Sequence, residues 1–258
     1  MSYSIKQVAA MLGISPQTLR FYERYGIDAG TRAAGEGYRR YSHAGVDELM
    51  SIRKYRNCGF TLARASKALN SQNPDTVATM LRDQAHALEK EATLKMLFAQ
   101  KMKALCADIR ARDQTKESVC VEPLLCVNVT GEERQLAPEE LSLLADWVQW
   151  MPLAQWTLFI SPDLTRYFYG FAMEEKAAKL IGIQPGARCF TLPALRCVQQ
   201  ALCWYPQETP LFSAALPALR TLVCKYGQPA HDIQIQTLCN CKQREKIVSY
   251  GFIFFPAA

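Results

Sequence analysis

Three groups of residues in this chain have the types and spacing to do chemistry. The first lies in the stretch ISPQTLRFYERYGI, residues 14–27, where Gln17, Arg20 and Arg24 fall three to four residues apart. On a helix that spacing lines an amide and two guanidinium groups along one outward stripe, suited to base edges and phosphates. The second is Gly37-Tyr38-Arg39-Arg40-Tyr41, a loop in which guanidinium groups can pair with phosphate oxygens while tyrosine hydroxyls add hydrogen bonds. The third is Cys239-Asn240-Cys241, two thiols close in sequence and of the kind that holds soft metal ions.

The elements that must position the first two groups can be read from caps and periodicity. Ser4-Ile5-Lys6-Gln7 has the form of a capping box, and Ile5, Val8, Ala9 and Leu12 follow at the spacing of a helix with one buried face. Gly13 ends that helix, and Ser15 caps a second with Pro16 at its first position. Ser42 is placed to cap a third helix through about Asn57, and Gly59-Phe60-Thr61 ends it and caps a fourth over Leu62 to Leu69. Helix, tight turn, helix is a weak signal alone, since many all-helical domains contain it. Charge strengthens it: residues 1–70 carry 11 Lys and Arg against 5 Asp and Glu, whereas the rest of the chain carries 19 of each. The whole net charge of +6 therefore sits in the first quarter, as expected of a surface that faces a polyanion.

These residues resemble the MerR family of bacterial transcription regulators, through SIKQVAAMLGISPQTLRFYE, GYRRYS and IRKYRNCGFTL in order across residues 3–70. The resemblance implies an all-α winged helix-turn-helix domain with Arg20 and Tyr22 on the second helix and Arg32, Tyr38 and Arg39 on the wing as DNA contacts. Gln17 and Thr18 are the candidates for base-edge contact, and Arg40 is either a further DNA contact or, with Tyr41, an anchor of the wing. The chain departs from the family pattern at Gly26-Ile27-Asp28-Ala29-Gly30, where relatives carry Gly, an apolar pair and Pro.

From Thr76 to Arg112 there is no Gly or Pro. Alternating steps of four and three give Val77, Leu81, Gln84, Leu88, Glu91, Lys95, Phe98, Met102, Leu105 and Ile109, mostly apolar, so a single long helix should lie against another copy or against the molecule's own domains. The resemblance implies the former, an antiparallel coiled coil that makes a homodimer. It implies further a pseudo-palindromic operator in double-stranded promoter DNA, distorted on effector binding so that RNA polymerase can use it, which makes the polymerase an indirect partner.

After the linker 113–118 the composition shifts to cysteines, aromatics and β-branched residues, a mixed α and β pattern. Strands are expected over Cys120–Val129, Trp156–Ile160, Tyr167–Met173, Cys189–Cys203, Ile233–Cys239 and Ile247–Phe255, and helices over Pro138–Trp150 and Pro210–Tyr226. Length, order and the closing SYGFIFFP resemble the GyrI-like effector-binding domain of multidrug-sensing MerR relatives, an α+β fold. The expected domains are thus 1–71 for DNA binding, 72–112 for dimerisation and 119–258 for the effector. Trp147, Trp150, Tyr167, Tyr169, Trp204, Tyr205, Phe252 and Phe254 either line a pocket for an aromatic or lipophilic effector or fill the core. A cationic effector would require one of Glu174, Glu175 or Glu208 to reach inward.

Several classes are set aside. No nucleophile elbow, phosphate loop or metalloprotease signature is present, so no enzymatic activity is expected and no cofactor is implied. Two alternatives stay open: thiol or metal sensing through Cys239 and Cys241, although the three scattered histidines add no ligand pattern, and a ligand-binding or enzymatic domain with a vestigial DNA module. No apolar run approaches a membrane span and no secretory signal opens the chain, so a cytoplasmic protein with reduced thiols is expected.

Overall fold

The computed structural model describes residues 2–25, 27, 30–32, 39–131 and 136–256, with the side chains of residues 31 and 32 outside that set. Two compact units are resolved, Met1–Ala92 and Thr93–Ala258, and the division falls inside one long helix.

In the first unit, strand β1 (Ser2–Ser4) leads into α1 (Ile5–Leu12) and α2 (Pro16–Arg24). The capping box at Ser4 is closed by Ser4 N–H donating to Gln7 Oε1 at 2.8 Å, and Gly13 ends α1 with φ of +62°, a conformation that glycine adopts at no steric cost. Strands β2 (Gly30–Arg32) and β3 (Arg39–Ser42) pair antiparallel, with β1 on the other side of β3. Helices α3 (His43–Asn57) and α4 (Leu62–Leu69) follow, capped by Ser42 and Thr61. One core joins them, built on Val8, Leu19, Tyr41, Leu49, Ile52 and Phe60.

Helix α5 (Pro74–Arg110) is 37 residues long, about 55 Å, and buries none of them fully. Near its start Val77 and Met80 pack on the first core, and Arg64 of α4 donates to Gln84 Oε1 (3.2 Å) and to the Met80 carbonyl (3.1 Å). Near its end Leu94, Leu97 and Phe98 pack on a core of the second unit. The seam expected from the sequence is divided, with Leu81, Leu88, Lys95 and Met102 of it left exposed. Val77, Gln84 and Phe98 are engaged by the chain's own units, whereas Leu81, Ala85, Leu88, Ala92, Lys95, Ala99, Met102 and Cys106 form a continuous exposed row with steps of four and three.

The second unit is an eight-stranded sheet, ordered β4-β9-β11-β10-β6-β7-β5-β8, from β4 (Lys116–Val121), β5 (Leu124–Thr130), β6 (Gln155–Ile160), β7 (Tyr167–Glu174), β8 (Cys189–Leu192), β9 (Leu195–Trp204), β10 (Ile233–Gln243) and β11 (Lys246–Pro256). Every pairing is antiparallel. Helices α6 (Pro138–Val148), α7 (Glu175–Ile181) and α8 (Leu211–Tyr226) supply apolar residues to one face. Two expected strands are split: Pro123 separates β4 from β5, and Pro193 separates β8 from β9, because proline has no N–H to give to a ladder. The β5–β7 pairing slips at Asn128/Thr130, and there a side chain on Gly170 would collide with the carbonyl oxygen of Val127. Gly170→Ala should therefore separate these strands and lower stability by about 3 kcal/mol, measurable by urea unfolding followed through the tryptophans, all of which lie in this unit.

Candidate functional site

Helix α2 presents Gln17, Arg20 and Arg24 to solvent on one face, while Leu19 is fully buried. The exposed face carries two aromatics that periodicity assigned no role: Phe21 and Tyr25 are 41% and 51% exposed, with ring centroids 5.0 Å apart and the Arg24 guanidinium 5.3 Å from the Phe21 ring. Their signal was present in the sequence, since they lie four apart on the side opposite to Leu19 and Tyr22. Thr18 is half-buried, and its hydroxyl lies 2.9 Å from Ser15 Oγ at the helix cap. Tyr22 is 5% exposed and belongs to the core, so it is a packing residue of α2 and no part of the outward stripe.

Strand β3 alternates, as strands must. Arg40 is exposed, whereas Tyr41 is fully buried and Arg39 is half-buried. Both inward residues meet one carboxylate of α2: Tyr41 O–H donates to Glu23 Oε1 at 2.8 Å and Arg39 forms an ion pair with Glu23 Oε2. Arg39 therefore fastens the strand to α2, and Arg40 is the arginine left facing water. Of the two roles open to Arg40, its exposure fits a contact, while Tyr41 takes the anchoring role together with Arg39. Tyr38 and the Arg32 side chain lie outside the described residues.

The Glu23 side chain is only 10% exposed, so its two donors matter for stability. Glu23→Ala should destabilise the first unit by about 2 to 4 kcal/mol, and Tyr41→Phe, which keeps the ion pair, by about 1 kcal/mol. Hydrogen exchange of the β3 amides is the readout, because no tryptophan reports on this unit.

The aromatics of the second unit do not converge on one cavity. Tyr167, Tyr169 and Trp204 join the core that contains Leu219 and Leu222 of α8, with Tyr167 stacked on Phe212 at 4.5 Å. Trp147 and Trp150 join the core that contains Ala177 and Ala178 of α7. Phe252 and Phe254 occupy the opposite sheet face, since Phe252 pairs across with Gln236 and Phe254 with Gln234. Tyr205 is 41% exposed near Lys246. The period of two along each strand separates these groups, which the sequence list had merged. Glu208 pairs with Lys246, and Glu175 with Lys179 at 2.8 Å. Of the three candidate acids, Glu174 lines a cavity.

The two candidate thiols stand side by side, Cys241 within hydrogen-bonding reach of Cys239. Cys239 and Cys241 lie on β10 opposite Tyr250 and Val248, and burial, with the neighbouring Cys241, pushes the Cys239 thiol up. No group of three or more His, Cys, Asp or Glu side chains able to hold a metal occurs among the described residues. None of their helices is long and apolar enough to cross a membrane.

The first unit is thus a capped helix-turn-helix with a strand fastened to its second helix. Residues 3–72 match the MerR HTH family of regulatory proteins, and this part of the chain is a MerR-type helix-turn-helix domain. The chain is 37% identical over 82 residues to the HTH-type transcriptional activator TipA of Streptomyces coelicolor, covering 32% of each chain. It is 35% identical over 75 residues to the mercuric resistance operon regulatory protein of Bacillus cereus, 29% of this chain and 57% of that one. The chain thus spans about a third to a little over half of the length of these relatives. A cryo-EM structure of an EcmrR–DNA complex aligns over 98% of both chains at 12% identity, with a TM-score of 0.39, too slight a likeness to bear on the fold.

Proposed function

We propose that the chain is a dimeric, ligand-responsive transcription regulator of the bacterial cytoplasm. It reads a pseudo-palindromic operator in promoter DNA and hands RNA polymerase a distorted duplex when an effector binds. The observation that carries this reading is the solvent-facing row Gln17, Arg20 and Arg24 on α2 of a MerR-type domain, with the exposed Arg40 on a strand that Glu23 fastens to that same helix. In this reading Gln17 and Thr18 approach base edges, while Arg20, Arg24 and Arg40 pair with phosphates. Strands β2 and β3 act as the wing in this reading, and Arg32 and Tyr38 are proposed as further contacts on the resemblance alone. Arg39 and Tyr22 act by holding the reading surface in place.

Dimerisation is assigned to α5. A helix this long without a fully buried residue gains stability by pairing, and the row from Leu81 to Cys106 alternates large and small residues. Alanines at every seventh position allow two antiparallel helices to approach closely. The sheet-rich second unit takes the part of a GyrI-like effector domain. Residues 1–71, 72–112 and 119–258 thereby divide DNA binding, dimerisation and sensing, and no step in this scheme calls for catalysis or a resident cofactor.

Two variants test the reading. Arg20→Ala should weaken binding to DNA upstream of the protein's own gene uniformly across sequence variants and reduce the slope of log affinity against log salt by about 1, read by fluorescence anisotropy at several salt concentrations. An unchanged slope would remove Arg20 from the interface. Leu88→Glu, which puts a charge in the exposed row, should convert the dimer to monomer in sedimentation velocity without loss of helix signal.

A further inference from the structure

A cavity of about 580 Å³ in the second unit is lined by Glu140, Phe168, Arg188, Phe190 and Asp232 among others. Its principal charges already serve the fold. Arg188 Nη1 donates to the Val129 carbonyl at 3.0 Å and lies 3.8 Å from Glu140 Oε1, while Glu140 Oε2 accepts the Ala137 N–H at 2.8 Å.

A smaller cavity of about 200 Å³ differs in this respect. It is lined among others by Lys101 and Asp108 of α5, Glu174 of β7, and Gln155, Gln236 and Phe254 of the sheet, with a third carboxylate, Glu122, that lies 4.0 Å from the Lys176 amine. An adjoining cavity of about 180 Å³ shares Lys101, Glu174 and Leu153 and is otherwise walled largely by Leu97, Ala104 and Ala177. Lys101 and Glu174 thus stand where a polar compartment meets an apolar one. Among the described residues no hydrogen bond or direct ion pair joins Lys101 to Glu174 or Asp108, although both carboxylates are near enough to act on its charge. Burial pushes the Lys101 amine down, against the pull of Glu174 and Asp108, and pushes the Asp108 carboxyl up.

Opposite charges held apart in a partly dry space bear the cost of lost hydration without the return of contact, and a bridging group between them removes that cost. The cavity is smaller than the roughly 300 to 1,000 Å³ typical of sites for drug-sized ligands. We propose that it binds a small zwitterion of amino-acid size, with the ligand carboxylate on Lys101, its ammonium on Glu174 and Asp108, and an apolar side chain toward Leu97, Leu153 and Ala177. Gln155 and Gln236 supply neutral hydrogen bonds at the polar end. A lone lipophilic cation would leave Lys101 facing a like charge, and a lone anion would leave the two carboxylates unpaired. The role of this ligand as the effector rests on the regulator reading above, but its binding does not.

The test is calorimetric titration of the full-length protein with the proteinogenic amino acids, then with the N-acetyl and amide derivatives of the tightest binder and with tetraphenylphosphonium. An apolar amino acid should bind, each derivative should bind at least about tenfold more weakly, and Lys101→Met and Glu174→Gln should each cost about tenfold or more. Lys101→Arg should retain most of the affinity, separating loss of charge from loss of fold. The proposal is overturned if no amino acid binds, if the capped derivatives bind equally well, or if tetraphenylphosphonium binds and Lys101→Met strengthens it. Promoter binding measured on the same preparation separates the two ideas. DNA binding without zwitterion binding sinks this proposal alone, and zwitterion binding without DNA binding sinks only the regulator reading.

Discussion

A helix of 37 residues in water must find partners along its whole length, and α5 finds them in pieces. Its first turns lie under Arg64, whose guanidinium reaches both Gln84 and the Met80 carbonyl and also covers the Phe60 ring at 4.7 Å. Its later turns contribute Leu94, Leu97 and Phe98 to the apolar layer of the sheet. Each engagement uses one side of the helix, so the alanine-bearing row from Leu81 to Cys106 remains in solvent. The same later turns carry Lys101 and Asp108 to the polar cavity, which means a molecule bound there would touch the helix itself. Core contacts of both units, the exposed row and two of the residues lining the polar cavity are thus all carried by one helix.

The first unit solves a different problem, that of holding a short strand pair against a helix without a large core. Glu23 does this with two donors from one strand, Arg39 and Tyr41, and the alternation of β3 then turns Arg40 outward. An unpaired carboxylate on α2 would set a negative charge on the same helix as Arg20 and Arg24. Here it is mostly buried and neutralised by Arg39, so the surviving surface charge is positive.

Much of the first unit was legible because its punctuation is local. Ser4, Gly13, Ser15, Ser42 and Thr61 each fix a helix end through a bond to a neighbour a few residues away, so all four helices start, and α1 stops, where those residues stand. The role of Glu23 was not legible, since its partners lie 16 and 18 residues away and only the paired strands bring them near. In the second unit β6, β7, β10 and β11 were visible as β-branched and aromatic runs, whereas Pro123 and Pro193 were read through and the short α7 was missed. The aromatic residues misled for a related reason: their types were plain, but which sheet face each occupies depends on register, and register placed them in separate cores. Glu174 lines the polar cavity beside Lys101, a lysine that no pattern in the α5 heptads singled out.

The central claim is that two copies of this chain, joined through α5, read one stretch of promoter DNA. The most direct measurement is the mass of the complex formed with a duplex spanning the region upstream of its own gene, determined by sedimentation equilibrium together with a nuclease footprint. The account predicts two chains per duplex and a footprint made of two related halves about one helical turn or a multiple of it apart, about 34–36 Å. A single chain on the DNA, a footprint without internal symmetry, or no complex at moderate salt would contradict it.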